Sequence, residues 1–143
     1  MEKIRLEDVD AYVAKLIQSL PARTTASLIA LSGDLGAGKT TLAQAIGRTL
    51  GVKEKIPSPT FLVMRSYATH HPRFSRFVHI DAYRVESVDE LKLLGFEKIL
   101  KEEETLICVE WPERIESLLP REGVHIHFKN TGEREREIDV RKT

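Results

Sequence analysis

The sequence predicts an α/β fold: a three-layer sandwich whose central sheet is mostly parallel, with antiparallel strands at its margins. Three observations carry that expectation. Short apolar runs alternate with amphipathic helical stretches, a glycine-rich segment joins one such run directly to a helix, and the C-terminal stretch reads as a hairpin. At 143 residues the chain suits one hydrophobic core, so residues 1–143 are read as a single domain.

The elements follow in order. Val9, Val13, Leu16, Ile17 and Leu20 fall at helical spacing, Glu7, Asp8 and Asp10 sit where the helix dipole favours acids, and Pro21 ends the helix. Leu28 to Leu31 has the length of a buried strand. Past the glycines, Leu42, Ile46 and Leu50 share a face opposite Gln44 and Arg48, and Gly51 stands at the expected helix stop. Two strands are expected at Phe61 to Tyr67 and Phe77 to Ile80, with a hairpin tip within Ala68 to Arg76 that matches no motif. Ser87 and Glu90 form a capping box opening a short helix that stops near Gly95, with a further turn or two through Leu100. After a solvated Lys101 to Glu104 turn, Thr105 to Val109 reads as a fully buried strand ending in Glu110. Pro112 occupies the first turn of a helix running to Leu119. Val124 to Phe128 and Glu135 to Val140 pair around Asn130-Thr131-Gly132.

Composition narrows the function classes. Lysine plus arginine equals aspartate plus glutamate at 22 each, so the overall field offers a polyanion no strong attraction, and autonomous nucleic-acid binding is disfavoured. Apolar residues at 41% and charged residues at 31% describe a globular protein, and no apolar run approaches the ~20 residues that span a bilayer. The opening MEKIRLEDVD has no secretion-signal pattern, and the lone Cys108 has no disulfide partner. Together these point to the cytoplasm and away from membranes.

Gly33-Asp34-Leu35-Gly36-Ala37-Gly38-Lys39-Thr40 fits G-x-x-x-x-G-K-[ST], the loop that wraps the phosphates of a nucleoside triphosphate. Glycines allow positive φ and let successive amides point into one concavity, while the helix that follows presents its positive end to the same anion. Lys39 adds a point charge at the β- and γ-phosphates, and the Thr40 hydroxyl completes a Mg²⁺ shell. The fold expectation is accordingly that of a P-loop NTPase. Turnover also needs a carboxylate at the end of a buried strand, to organise Mg²⁺ and the attacking water beside the γ-phosphate. Asp81 ends FVHID and Glu110 ends LICVE, both where ligands gather in α/β sheets.

SGDLGAGKTTL, SPTF at Ser58 to Phe61, HIDAYR at His79 to Arg84, ELKLLGFEKIL at Glu90 to Leu100 and VEWPER at Glu110 to Arg114 together resemble the TsaE family, also called YjeE. The resemblance covers most of the chain. It implies a small P-loop ATPase that works with the TsaB and TsaD subunits to make N6-threonylcarbamoyladenosine in certain tRNAs, with ATP turnover resetting the assembly and tRNA engaged only through the complex. It implies ATP and Mg²⁺ as ligands: Gly33, Gly36, Ala37, Gly38, Lys39, Thr40 and Thr41 at the phosphates, and Thr40 with Glu110 on the metal. Asp81 then positions the water, although the roles of the two acids are exchangeable. Thr60 is a switch candidate that senses the γ-phosphate.

Other residues have two readings each. Trp111 is a core residue or a site or partner contact. Arg84 stabilises transition-state charge in cis or makes a surface salt bridge, and Arg136 is a weaker candidate of the same kind. His125 and His127 share one strand face, the wet one, and with a single cysteine no zinc site is expected.

Rival functions are weighed by what they require. A small-molecule kinase folds a lid and a second-substrate pocket over the phosphates, and little length is left for either. Guanine selectivity calls for asparagine-lysine followed by aspartate, whereas Asn130 is followed by Thr131. A nucleotide-gated binding module with negligible catalysis of its own is the remaining alternative.

Overall fold

The apolar run at Leu28–Leu31 becomes the middle strand of a sheet. The computed structural model describes residues 2–34, 36–56, 63–130 and 135–143. Its strands are β1 (Glu2–Arg5), β2 (Ser27–Gly33), β3 (Met64–Ala68), β4 (Arg76–Asp81), β5 (Thr105–Glu110), β6 (Val124–Asn130) and β7 (Glu135–Lys142). Its helices are α1 (Val9–Ser19), α2 (Lys39–Thr49), α3 (Asp89–Leu93) and α4 (Phe96–Ile99). Among the described residues the strands form one sheet in the order β1-β7-β6-β2-β5-β4-β3. The four inner strands β6, β2, β5 and β4 run parallel; β3 on one margin and β7 on the other run against them, and β1 pairs antiparallel with β7 and so runs with the inner strands. This is the mixed α/β arrangement expected from the alternation of elements.

Strand alternation sends side chains to two cores. Ile29, Leu31, Phe77, Leu106, Cys108 and Ile126 pack with the apolar stripes of α1 and α2. Leu28, Val78, Ile80, Ile107 and Val109 point the other way, onto Leu91 of α3 and Phe96 and Ile99 of α4. Every residue of β5 is buried, which is why it lacks an alternating pattern in sequence.

Helix ends follow local chemistry. Leu20 is extended at φ −67°, ψ 132°, as a residue preceding proline must be. Gly51 adopts φ +78°, its N–H donating to Arg48 O at 3.0 Å while Val52 N–H reaches Gly47 O at 2.9 Å, a Schellman closure of α2. The Glu90 carboxylate accepts the amides of Glu86 and Ser87 at 2.8 and 3.0 Å, the side-chain half of the expected capping box.

Two expectations are corrected, and one strand lies beyond them. The segment from Pro112 to Leu119 is not one α-helix but two short 3₁₀ turns, Pro112–Arg114 and Glu116–Leu118. Ile115 between them leaves helical geometry at φ −133°, ψ 27° to bury its side chain. The strand expected from Phe61 begins at Met64 and extends to Ala68 within the described residues, and Phe61 itself lies outside them. β1 was not expected: only Ile4 of its four residues is buried, so it carries no readable period. No helix among the described residues is long and apolar enough to cross a membrane.

Candidate functional site

β2 runs out of the sheet into the glycine loop, and the loop feeds α2. Gly33, Gly36 and Gly38 have φ of +137°, +76° and +111°, a backbone that side-chain-bearing residues rarely adopt. A Cβ on Gly33 would also stand 2.8 Å from the Phe128 carbonyl oxygen. Ala37 N–H donates to Asp34 O at 3.1 Å, turning the chain sharply. Leu35 lies outside the described residues.

Lys39, the first residue of α2, folds back into this turn. Its Nζ donates to the carbonyls of Gly33 and Asp34, each at 2.6 Å, and lies 4.4 Å from the centre of the Trp111 ring. The residue is only 4% exposed. Burial lowers its pKa from the usual 10.5, while the carboxylates of Glu110, Glu113, Asp34 and Asp81 pull it back up. The ammonium is thus partly desolvated, within reach of polar groups it can exchange for an anion.

Trp111 is presented by backbone strain. It sits at φ 61°, ψ 53° immediately after β5, a left-handed conformation that is costly for a bulky residue. Its N–H donates to Leu31 O at 3.1 Å, tying the turn to the middle strand. Tyr83 tilts against the indole with ring centroids 4.9 Å apart. Both readings of Trp111 have a counterpart in the structure: its ring lies over the Lys39 ammonium, and it is partly buried against the core of α3 and α4.

Beneath the loop, β4 and β5 bring two acids side by side. Asp81 and Glu110 are register partners at the carboxyl ends of these parallel strands, where ligands collect in open α/β sheets. Glu110 is 3% exposed. Its Oε1 accepts the Thr40 hydroxyl at 2.8 Å, and its Oε2 lies 2.6 Å from His79 Nε2. Asp81 Oδ1 accepts Tyr83 N–H at 3.1 Å. Burial raises the Asp81 carboxyl above its ordinary 3.8, and the Tyr83 amide opposes that rise.

Lys39, Thr40, Asp81, Glu110 and Trp111 therefore converge, as their strand-end and loop positions suggested. Thr41 faces the outer flank, lining with Gly38, Leu6, Phe128 and Arg136 an apolar recess of about 50 Å³. Arg84 lies on the exposed turn after β4, and Thr60 is outside the described residues. His125 is half-buried and His127 exposed, as their shared wet face predicts. Sequence reasoning missed His79 as a partner of Glu110. The available signal was its place two residues before Asp81, hence on the same strand face.

Comparison with known proteins extends this picture. The family described as Threonylcarbamoyl adenosine biosynthesis protein TsaE matches residues 5–138. The tRNA threonylcarbamoyladenosine biosynthesis protein TsaE of Bacillus subtilis is 34% identical over 140 residues, covering 96% of this chain and 85% of its relative. Its counterpart in Synechocystis is 38% identical over 116 residues, covering 79% and 69%. The crystal structure of YdiB from Bacillus subtilis superposes with a TM-score of 0.63 at 30% identity, over 96% of this chain and 82% of that one. SGDLGAGKTTL, HIDAYR and VEWPER lie on the loop, strand ends and turn gathered around Lys39, ELKLLGFEKIL forms α3 and α4 on the other face of the sheet, SPTF lies outside the described residues, and the chain belongs to the TsaE family.

Proposed function

We propose that this protein is the ATP-binding and ATP-hydrolysing subunit required for N6-threonylcarbamoyladenosine modification of tRNA, built on a P-loop NTPase sandwich and acting in the cytoplasm. It works with TsaB and TsaD, its ATP turnover resets their assembly, and tRNA is engaged through that complex. The observation that carries this reading is the Lys39 ammonium turned into a glycine-lined concavity, directly above a Thr40–Glu110 pair at the end of a buried strand.

The residues fit a magnesium-bound triphosphate. Thr40 and Glu110 offer hard oxygen donors side by side, the chemistry magnesium selects. The loop from Gly33 to Thr41 brings amides and the start of α2 to one anion. Thr40 and Glu110 would hold the metal. Bound Mg²⁺ neutralises charge that develops on the transferring phosphoryl group. Lys39 exchanges its bonds to Gly33 and Asp34 for phosphate oxygens. Asp81, one strand away from Glu110, accepts a hydrogen bond from the attacking water and orients it; the Thr40–Glu110 bond favours this division of roles over its reverse. Trp111, with Tyr83 tilted against its ring, covers the ammonium, which strengthens its pull on the phosphates.

The test is turnover of ATP and Mg²⁺ by the pure protein, alone and with TsaB and TsaD. Slow turnover alone and faster turnover in the complex is the expected result. Equal rates in both would remove the dependence on partners, and an absence of nucleotide binding would remove the whole reading.

A further inference from the structure

His79 is out of character for its strand. Its neighbours Phe77, Val78 and Ile80 are apolar and fully buried, and His79 itself is 4% exposed. A polar group so placed is costly unless it is hydrogen-bonded. Its ring lies parallel to that of Phe77, with centroids 6.3 Å apart and 5° between planes, which sets the imidazole plane. Its Nε2 then meets Glu110 Oε2 at 2.6 Å. Because an ionised carboxylate only accepts, Nε2 carries the hydrogen.

The two oxygens of Glu110 are divided between two donors. Oε2 is held from within the sheet by His79, and Oε1 takes the Thr40 hydroxyl. A glutamate has several rotatable bonds, and a metal ligand with that freedom must be oriented by its surroundings to bind well. We propose that His79 is a positioning residue whose Nε2–H fixes the inner oxygen of Glu110 and so keeps the outer oxygen beside Thr40, where a divalent cation is to be held. This inference rests on the magnesium-nucleotide reading above. Histidine suits the place because an imidazole donates one N–H without having to carry a charge. Lysine or arginine there would bring its own positive charge to Glu110 and compete with the cation.

The experiment measures ADP affinity in Mg²⁺ and in EDTA for the wild type, His79→Phe and His79→Gln. His79→Phe keeps a ring for stacking on Phe77 and removes the donor, whereas His79→Gln supplies an amide N–H near Nε2. In His79→Phe the Mg²⁺-dependent tightening should fall by roughly 10-fold or more, with affinity in EDTA changed by less than about twofold, and His79→Gln should recover most of the loss. Equal Mg²⁺ dependence in wild type and His79→Phe overturns the proposal. So does an equal loss in Mg²⁺ and EDTA, which marks a purely structural role. Should His79→Phe not fold, NMR of the wild-type imidazole decides: Nε2 should be protonated and its signal should move when Mg²⁺ is added to the ADP complex. An unprotonated Nε2, or a signal indifferent to Mg²⁺, overturns it. A wild type whose ADP binding ignores Mg²⁺ defeats the nucleotide reading itself and takes this inference with it, an outcome distinct from equal dependence in wild type and variant.

Discussion

The Lys39 ammonium lies 4.4 Å from the centre of the Trp111 ring, close enough for the indole face to sense its charge. Trp111 is the single tryptophan of the chain. If the proposed site takes ADP, the ammonium should move toward phosphate, and intrinsic fluorescence should change as nucleotide is added. Lys39→Ala should abolish most of that change and weaken ADP binding by at least about 10-fold, ~1.4 kcal/mol, with the circular dichroism spectrum unaltered. Unchanged ADP affinity in the variant would refute the role given to this lysine.

Thr40 and Glu110 act as a pair through their 2.8 Å hydrogen bond. Thr40→Ala removes the partner of Glu110 Oε1 and, on the proposed reading, one oxygen ligand of the metal. Turnover in the presence of TsaB and TsaD is expected to drop on the order of 10²-fold, while ADP affinity measured in EDTA stays near that of the wild type. A parallel loss of affinity in EDTA would show that Thr40 serves the phosphates rather than the metal.

Asp81 gives the fold a signed dependence on pH. In the unfolded chain its carboxyl titrates near 3.8, and in the folded chain burial raises it. The folded state therefore binds the proton more tightly, so Asp81 costs stability as pH rises from the unfolded value through the folded one, and the full cost remains above that window. Asp81→Asn keeps an oxygen for the Tyr83 amide and has no charge to desolvate. Thermal melts across pH should show the variant more stable than wild type at neutral pH, with the difference shrinking as pH falls toward 3.8. A gap that widens on acidification would contradict the assignment, as would undiminished ATP turnover in the variant.

Gly33 tests the loop backbone. Its φ of +137° and the 2.8 Å approach of a Cβ to the Phe128 carbonyl leave no room for a side chain. Gly33→Ala should destabilise the fold by about 1–3 kcal/mol, read as a lower denaturant midpoint, and should weaken ADP binding as the loop shifts away from β6. An unaltered midpoint would mean the loop relaxes without cost.

How much of this was legible depended on how many residues each signal occupied. The path from Ser27 to Thr49 was legible because the glycine loop, a buried run and an amphipathic helix all say the same thing over consecutive residues. β5 was legible as an uninterrupted apolar run. β1 was not, because an edge strand of four residues with one buried side chain has no periodicity to read. The segment after Trp111 misled because Pro112 suits both an α-helix and a 3₁₀ turn, while the left-handed Trp111 and the break at Ile115 arise from tertiary packing. Strand-end acids could be named from sequence as candidates, but strand order, and with it the Asp81–Glu110 pairing, could not. His79 is a lone residue whose partner lies 31 positions away, so only the register reveals it.

β2 has three strands on either side of it. The loop is therefore rooted in the part of the sheet that local fraying reaches last, and amides of Leu28–Leu31 should exchange with deuterium only through global opening. β1, which pairs in the sheet with β7 alone, should fray locally and exchange sooner. Nucleotide added to the protein should accordingly slow exchange of those central amides more than that of β1, so that for them ligand occupancy and the lifetime of the folded chain become one measurable quantity.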